Sequence, residues 1–528
     1  MDFDVIVIGS GFGGAIAGCR LAEAGYKVLI LERGRRWDKS SYPRDAADMW
    51  RWNNEHPEKE HGWIDLRIFD HMTVAQGAAV GGGSLIYANI SCEAPQTVFQ
   101  QGWPKEVTYA DLKPHYDSVA KFMNVQKVPD NQWTDRMRLM KESAEKIGAG
   151  DRFRQLELAV SFDPQWSYDL PDPHNASHSK RFTNAQGVDQ GTCVHLGNCD
   201  IGCDVDAKNT LDRNYIAWAE NKYGAQVREL HLATDVQPVT GGYQVSFDQI
   251  ANGRRTPGSQ TACIVVVAAG SLGSTELLLR CREINKTLPN VSPFLGHNWS
   301  SNGDFLTPAF YGSRAVNPSV GPTITCAIDF LDRSQAGQSF WIQDGGFPNV
   351  LNDFITKLDS SGGVQNLEAK FLIDSIRHML TGTEPFRNVM PWFAQGVDAA
   401  NGTLSLHHSL LTGAPSLNLA WDVGKSRDTI EAIVAMHLKL SAATGGHPVV
   451  PPTWSVLHNL VTPHPLGGCG MADTLLNGVV NHAGEVFNYA NLYVIDGAII
   501  PEALGVNPSR TIGALAERAA AIIKSEGR

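Results

Sequence analysis

Asp4-Val5-Ile6-Val7-Ile8 runs without a gap into Gly9-Ser10-Gly11-Phe12-Gly13-Gly14, and that junction constrains the fold more than any other stretch of the chain. The nearly continuous β-branched run predicts a strand covered on both faces. Ala15 to Ala24 reads as an Ala-rich helix closed by Gly25, and Lys27 to Leu31 as a second strand ending at Glu32. Together they form a complete βαβ unit. In such a unit Gly9 permits the tight turn, Gly11 admits a close backbone approach by a pyrophosphate, and Gly14 lets the helix pack on the strand. The phosphates then lie at the positive end of the helix dipole. Glu32 follows Gly9 by 23 positions, where an acid accepts hydrogen bonds from a ribose. A dinucleotide site follows. The fingerprint alone does not separate FAD from NAD, although a carboxylate at Glu32 disfavours the 2′-phosphate of NADP.

A chain of 528 residues exceeds one ordinary core and predicts two or three domains, or a discontinuous pair. The 55 acidic against 44 basic residues give a formal charge of -11, which repels phosphate backbones and argues against a nucleic-acid partner. Met1-Asp2-Phe3-Asp4 offers no basic region or cleavage site, so no secretory signal is expected. The longest apolar run, Ala262 to Ala269, falls short of the ~20 residues of a membrane span. Nine Cys fit a reducing compartment better than a disulfide scaffold, and the cytoplasm is the expected location. Cys193, Cys199 and Cys203 lack a C-x2-C pair and an obvious fourth ligand, so they read as structural thiols and no metal is expected.

Farther along, Gly77 to Ser84 is a second glycine-rich loop, suited to an anionic or flat ligand and equally to a plain surface turn. Residues 208–220 read as a helix, and Val227 to Leu232 and Tyr243 to Phe247 as short strands. Asn252-Gly253 reads as a hairpin tip, Cys263 to Ala268 as a buried strand, and Thr275 to Arg280 as a helix after a second strand-to-glycine turn. From about 313 to 455 the βα alternation stops, and turn clusters such as Asp359 to Gly363 predict a largely antiparallel sheet.

In order along the chain stand Gly9 to Gly14 with Glu32, Val80-Gly81-Gly82-Gly83-Ser84-Leu85 with Asn89, and Ala269 to Ser274. Leu295 to Asn298 follows, then His464-Pro465-Leu466-Gly467-Gly468-Cys469, Val494 to Gly497, Gly505-Val506-Asn507-Pro508 and Thr511-Ile512. In these motifs the chain resembles the glucose–methanol–choline (GMC) oxidoreductases, nearest the cholesterol-oxidase-like branch. The resemblance implies an α/β fold: a discontinuous Rossmann-type FAD-binding domain (1–98, 185–312 and 456–528) and an α+β substrate domain with a largely antiparallel sheet (99–184 and 313–455). It implies bound FAD and oxidation of an alcohol to a carbonyl, with oxygen or another acceptor taking the electrons. The family's base falls on His464 and its partner on Asn507. Gly9, Gly11, Gly14, Glu32, Gly81, Gly82, Ser84, Asn89, Gly270, Asp496, Gly497, Asn507 and Thr511 fall on cofactor-binding positions. Val236 matches the residue whose backbone meets the adenine. Leu85 to Asn89 holds no His of the kind that tethers FAD in some members, so non-covalent FAD is expected.

The residue chemistry agrees with that assignment. A neutral imidazole accepts a proton near neutral pH, and a carboxamide can donate to or accept from the same substrate oxygen. Phe340, Trp341, Trp392 and Phe393 suggest an apolar or aromatic alcohol. The stretch Phe386 to Gly402 holds no Glu, with Glu384 just upstream, so the double-bond isomerisation associated with sterol-oxidising relatives is not expected. Two other readings stay open: a flavin-dependent lyase or decarboxylase on the same fold, and a non-catalytic NAD-binding protein.

Overall fold

A computed structural model describes residues 1–45, 47–348, 387–408, 415–455 and 458–527; the turn cluster at 359–363, Glu384 and Phe386 lie outside the described residues. Phe3–Ile8 is a strand whose Val5, Ile6 and Val7 are fully buried, as a β-branched run covered on both sides must be. It pairs in parallel with Val28–Leu31 on one side and with Arg254–Val267 on the other. The helix Phe12–Glu23 joins the first two strands and packs against Tyr215–Tyr223 and the C-terminal helix Ser509–Ser525.

Seven strands complete this sheet. Gln226–Arg228 and Leu492–Val494 extend the parallel half, while His231–Val239, Gly242–Ala251 and Arg254–Val267 form an antiparallel meander. Asn252-Gly253 sits at the expected hairpin tip, with both residues at positive φ. The meander strands are longer than the alternation implied, because Arg254–Val267 serves the hairpin with its first half and the parallel core with its second. The helix expected over 208–220 is broken at Asn214, whose side chain caps Tyr215–Tyr223 after a short 3-10 turn at Leu211–Arg213.

A second sheet is antiparallel throughout. Its order is His447–Pro448, Phe305–Phe310, Val389–Gly396, Gln338–Asp344, Cys326–Gln335, Phe153–Gln155. Phe305–Phe310 was expected to belong to the nucleotide domain, yet it pairs along its whole length with Val389–Gly396. Phe305, Thr307 and Ala309 are buried in a period of two, a pattern that Thr307 and Pro308 obscure in the sequence. The helix Arg427–Ala443 packs against this sheet.

A small third sheet joins distant stretches. Leu460–Thr462 pairs in parallel with Met72–Gly77, which pairs with Ile64–Phe69. It brings the chain just before His464 beside the chain just before the second glycine-rich loop. No helix among the described residues is long and apolar enough to cross a membrane.

Candidate active site

Gly9 leaves its strand at φ 100°, a conformation that suits glycine, and a Cβ there would meet the Ala268 carbonyl oxygen at 2.3 Å. A Cβ at Gly14 would meet the Gly9 carbonyl oxygen at 2.0 Å, and one at Gly13 the Ile495 carbonyl oxygen at 1.6 Å. Gly11 is different: no other part of the protein lies within 4 Å of where its Cβ would sit. Three of the glycines therefore allow protein to pack on protein, and Gly11 faces open space.

The second loop is wedged against the first, since a Cβ at Gly82 would lie 2.6 Å from the Gly11 Cα. Gly81 donates its N–H to Ser10 Oγ at 3.0 Å, and Ser84 Oγ donates to the Gly81 carbonyl at 2.7 Å while accepting from Leu211 N–H at 3.0 Å. Glu32 accepts from Ser10 N–H at 2.9 Å, Ser10 Oγ at 2.6 Å and Gly34 N–H at 2.8 Å. Burial pushes its carboxyl above the ordinary range, and those donors oppose the shift. Ser10, which sequence reasoning passed over, thus ties the acid to both loops.

A cavity of about 780 Å³ runs along these loops, within the range of small-molecule sites. Gly9, Gly11, Gly13, Glu32, Gly82, Gly270, Asp496, Gly497, His464 and Asn507 all line it. Asp496 accepts from Gly270 N–H at 2.8 Å and Ala498 N–H at 2.7 Å, which fixes the turn that crosses the cavity.

Six expected cofactor residues stand behind the lining, the fully buried Asn89 among them. Gly14 and Gly81 hold the loops in the ways just described, and Ser84 pins the second loop from below. Thr511 bonds Tyr116, oxygen to oxygen, at 2.9 Å, while its neighbour Ile512 lines the cavity. Val236 is fully buried in the core, its N–H directed to Cys281 Sγ. Ala233 and Thr234 line the cavity in its place. The register slips there, from Ser246 opposite Asp235 to Phe247 opposite Ala233, so Thr234 is bulged out of the ladder. That bulge turns Thr234 of the strand toward the cavity beside the expected Val236 position.

On the same lining, His464 and Asn507 meet: His464 Nε2 and Asn507 Nδ2 are 3.4 Å apart. Their separation of 43 positions is closed by local pinning. The turn Gly467-Gly468 rests against Asn298 and Thr275, where Cβ atoms would come within 2.0 and 2.2 Å of oxygens. Gly467 N–H also donates to the Gly497 carbonyl at 2.9 Å.

Behind the imidazole lies Asp304, which the sequence did not flag. Its carboxylate oxygens are 2.9 and 3.0 Å from His464 Nδ1, and Thr462 Oγ1 is 2.6 Å from Oδ2. Asp304 is fully buried, which raises its carboxyl pKa, while the bonds from His464 and Thr462 favour the ionised form. A carboxylate accepts only, so Nδ1 carries the proton and Nε2 presents its lone pair to the cavity. On the far side Gln343 Nε2 donates to Asn507 Oδ1 at 2.7 Å, which turns the Asn507 amino group toward His464. Asp304→Asn should keep fold and colour but slow alcohol-driven reduction about 10–100-fold, measured by anaerobic stopped flow. An unchanged rate would remove Asp304 as the positioning residue.

Of the four aromatics suggested for the substrate, only Phe393 lines the cavity; Phe340, Trp341 and Trp392 are core, at 5% exposure or less. Cys193 and Cys203 accept backbone N–H bonds from His195 and Ala207. Among the described residues no group of three or more His, Cys, Asp or Glu converges as if to hold a metal.

The loops fit a bound FAD. Gly11 opens an unfilled cradle at a helix N-terminus, and Asn89, fully buried at φ 68°, leaves both amide atoms without a protein partner. Among the described residues His231 and His464 are the histidines on the cavity lining, and neither belongs to the second glycine-rich loop.

Residues 398–516 match a family model described as GMC oxidoreductase, and residues 7–37 one described as an NAD(P)-binding Rossmann-like domain. A cholesterol oxidase of Acinetobacter baumannii is 32% identical over 99% of this chain and 95% of its own length. A cholesterol oxidase of Mycobacterium tuberculosis is 29% identical over 100% and 92%. The crystal structure of pyridoxine 4-oxidase from Mesorbium loti superposes with a TM-score of 0.63 at 14% identity, covering 98% of each chain. With the nucleotide cradle, the inserted antiparallel sheet and a full-length relative above 30% identity, the chain belongs to the GMC oxidoreductase family, FAD-dependent enzymes that oxidise alcohols.

Proposed function

We propose that this oxidoreductase converts a CH–OH group of an apolar or aromatic alcohol to a carbonyl, with His464 as the base and Asn507 as its partner. The observation that carries the reading is the chain of contacts Asp304, His464, Asn507, Gln343 on the wall of the cavity that begins at the dinucleotide fingerprint. Bound FAD supplies the two-electron acceptor. The cradle residues that would hold it are Gly9, Gly11, Glu32, Gly82, Asn89, Asp496 and Gly497.

Within the site, Asn507 Nδ2–H donates to the substrate oxygen and fixes its angle. His464 Nε2 takes the hydroxyl proton, and the neighbouring Asp304 carboxylate stabilises the imidazolium that results. Leu306, Ile324 and Phe393 give the cavity an apolar lining, which favours a bulky alcohol. Electrons then pass to oxygen or another acceptor.

The test is anaerobic mixing of the purified holoprotein with primary, aromatic and sterol alcohols while the flavin bands are followed. Bleaching supports the reading, and admission of air then separates an oxidase from a dehydrogenase. No bleaching by any alcohol in the panel would sink it. Acid precipitation should leave the yellow colour in the supernatant; colour retained in the pellet would mean a covalent tether and contradict the expectation drawn from Leu85 to Asn89.

A further inference from the structure

Cys199–Ile201 forms a single 3-10 turn packed against the turn Gly82–Leu85 of the second glycine-rich loop. Its central residue, Asp200, lines the same cavity as His464 and Asn507, and the proposed chemistry gives it no task. Thr323, Ile324, Gly345 and Gly346 of the antiparallel sheet and its loops line this cavity too.

That wall is held rigid by one buried cation. Arg136 is fully buried, and its Nη1 lies 2.8, 2.6 and 2.9 Å from the carbonyl oxygens of Thr323, Asp344 and Gly345. Its Nη2 reaches the carbonyls of Val320 and Pro322 at 3.1 and 2.7 Å. A guanidinium bonded to so many carbonyls leaves the loop little freedom, so the surroundings of Asp200 are pre-organised.

Asp200 itself is incompletely matched. The buried cation Lys208, whose charge acts on Asp200, directs its ammonium to the carbonyls of Leu85, Tyr87 and Cys199 at 2.8, 2.8 and 2.7 Å. Arg136 pairs instead with Asp344 at 3.2 Å. Burial pushes the Asp200 carboxyl up to about 6, with Lys208, the Thr323 hydroxyl and Arg136 opposing. The Thr323 hydroxyl offers one donor, and a carboxylate accepts more than one, which leaves acceptor capacity for a ligand in a lining that includes Ile324 and Phe393.

We infer that Asp200 is a second recognition point of the cavity, accepting a hydrogen bond from a hydroxyl or ammonium group that the alcohol carries away from its reacting carbon. The preferred substrates are then diols or amino alcohols with an apolar body. This inference rests on the alcohol-oxidation reading above and adds the substrate class.

The test uses matched pairs on the holoenzyme: 3-methylbenzyl alcohol against 3-(aminomethyl)benzyl alcohol, 4-methylbenzyl alcohol against 1,4-benzenedimethanol, and 1-decanol against 1,10-decanediol. Flavin reduction gives kcat/KM for each probe. Calorimetric titration of enzyme already reduced with dithionite gives Kd without turnover. In at least one pair the donor-bearing member should lose about tenfold or more in D200N relative to its plain partner, in both kcat/KM and Kd. Plain alcohols that react and bind with the same ratio to their partners in both proteins would overturn the inference and leave the alcohol reading standing. So would a uniform loss across each pair with a lower Tm, which makes Asp200 a counter-ion for Lys208. Release of FAD by D200N would place the acid against the cofactor, again overturning it. If no member of any pair bleaches the flavin, both readings fall together.

Discussion

His464→Ala should give a protein that is still yellow and folded, yet is reduced by alcohol about 10²–10⁴-fold more slowly than the wild type. The colour persists because the cradle is built from Gly9, Gly11 and Glu32, and the hydrogen bonds of His464 go instead to Asp304, Thr462 and Asn507. The rate falls because neither described side chain that bonds the imidazole at the cavity replaces it as proton acceptor. Asn507 offers an amide, and Asp304 lies behind the imidazole, bonded to Nδ1 at 2.9 Å. Stopped-flow traces under argon would measure the change, with the flavin spectrum as the control for cofactor content. Wild-type kinetics in this variant would remove the base from the mechanism.

Gly11→Ala and Gly13→Ala, two positions apart, should fail in different ways. At Gly13 the new methyl would sit 1.6 Å from the Ile495 carbonyl oxygen, a backbone atom that no rotamer change can clear. The helix and the chain at Ile495 and Asp496 would have to separate, and overpacking of this kind costs about 1–3 kcal/mol or more. A large loss of Tm is expected, along with poor yield. At Gly11, φ is -70° and nothing of the protein lies within 4 Å of the added carbon. The polypeptide should therefore fold with little change in the Tm of its apo form, while the methyl projects where a pyrophosphate needs bare backbone. Colourless, well-folded protein is the expected result. Full FAD occupancy in Gly11→Ala would remove the cradle from that loop.

The N-terminal unit was legible because every device in it is local. Strand, turn glycines, helix and acid lie within 32 residues, and each announces itself by residue type. His464 and Asn507 were legible for another reason, the order and spacing of C-terminal motifs around them. Asp304 was not. It is one acid among 55 acidic residues, 160 positions from its histidine, and its role exists only once Phe305–Phe310 has joined a sheet that the sequence obscured. Gln343 is hidden in the same way, inside a strand that otherwise reads as core. That Thr234 lines the cavity while Val236 is core turns on a bulge, which the chain's composition does not advertise. Phe340, Trp341 and Trp392 show the converse: large aromatic side chains raise the expectation of a pocket, yet most of them fill the interior.

Gln343 and Gly345 are two residues apart, and between them Asp344 is fastened to Arg136. The amide that steadies the proposed proton-handling pair and the wall proposed to select the substrate therefore belong to one stiff piece of chain. Enlarging that surface to admit a bulkier molecule would drag Asn507 off its mark. Selectivity and turnover are not independent dials in this scaffold, and natural or laboratory selection for a new substrate would have to adjust them together.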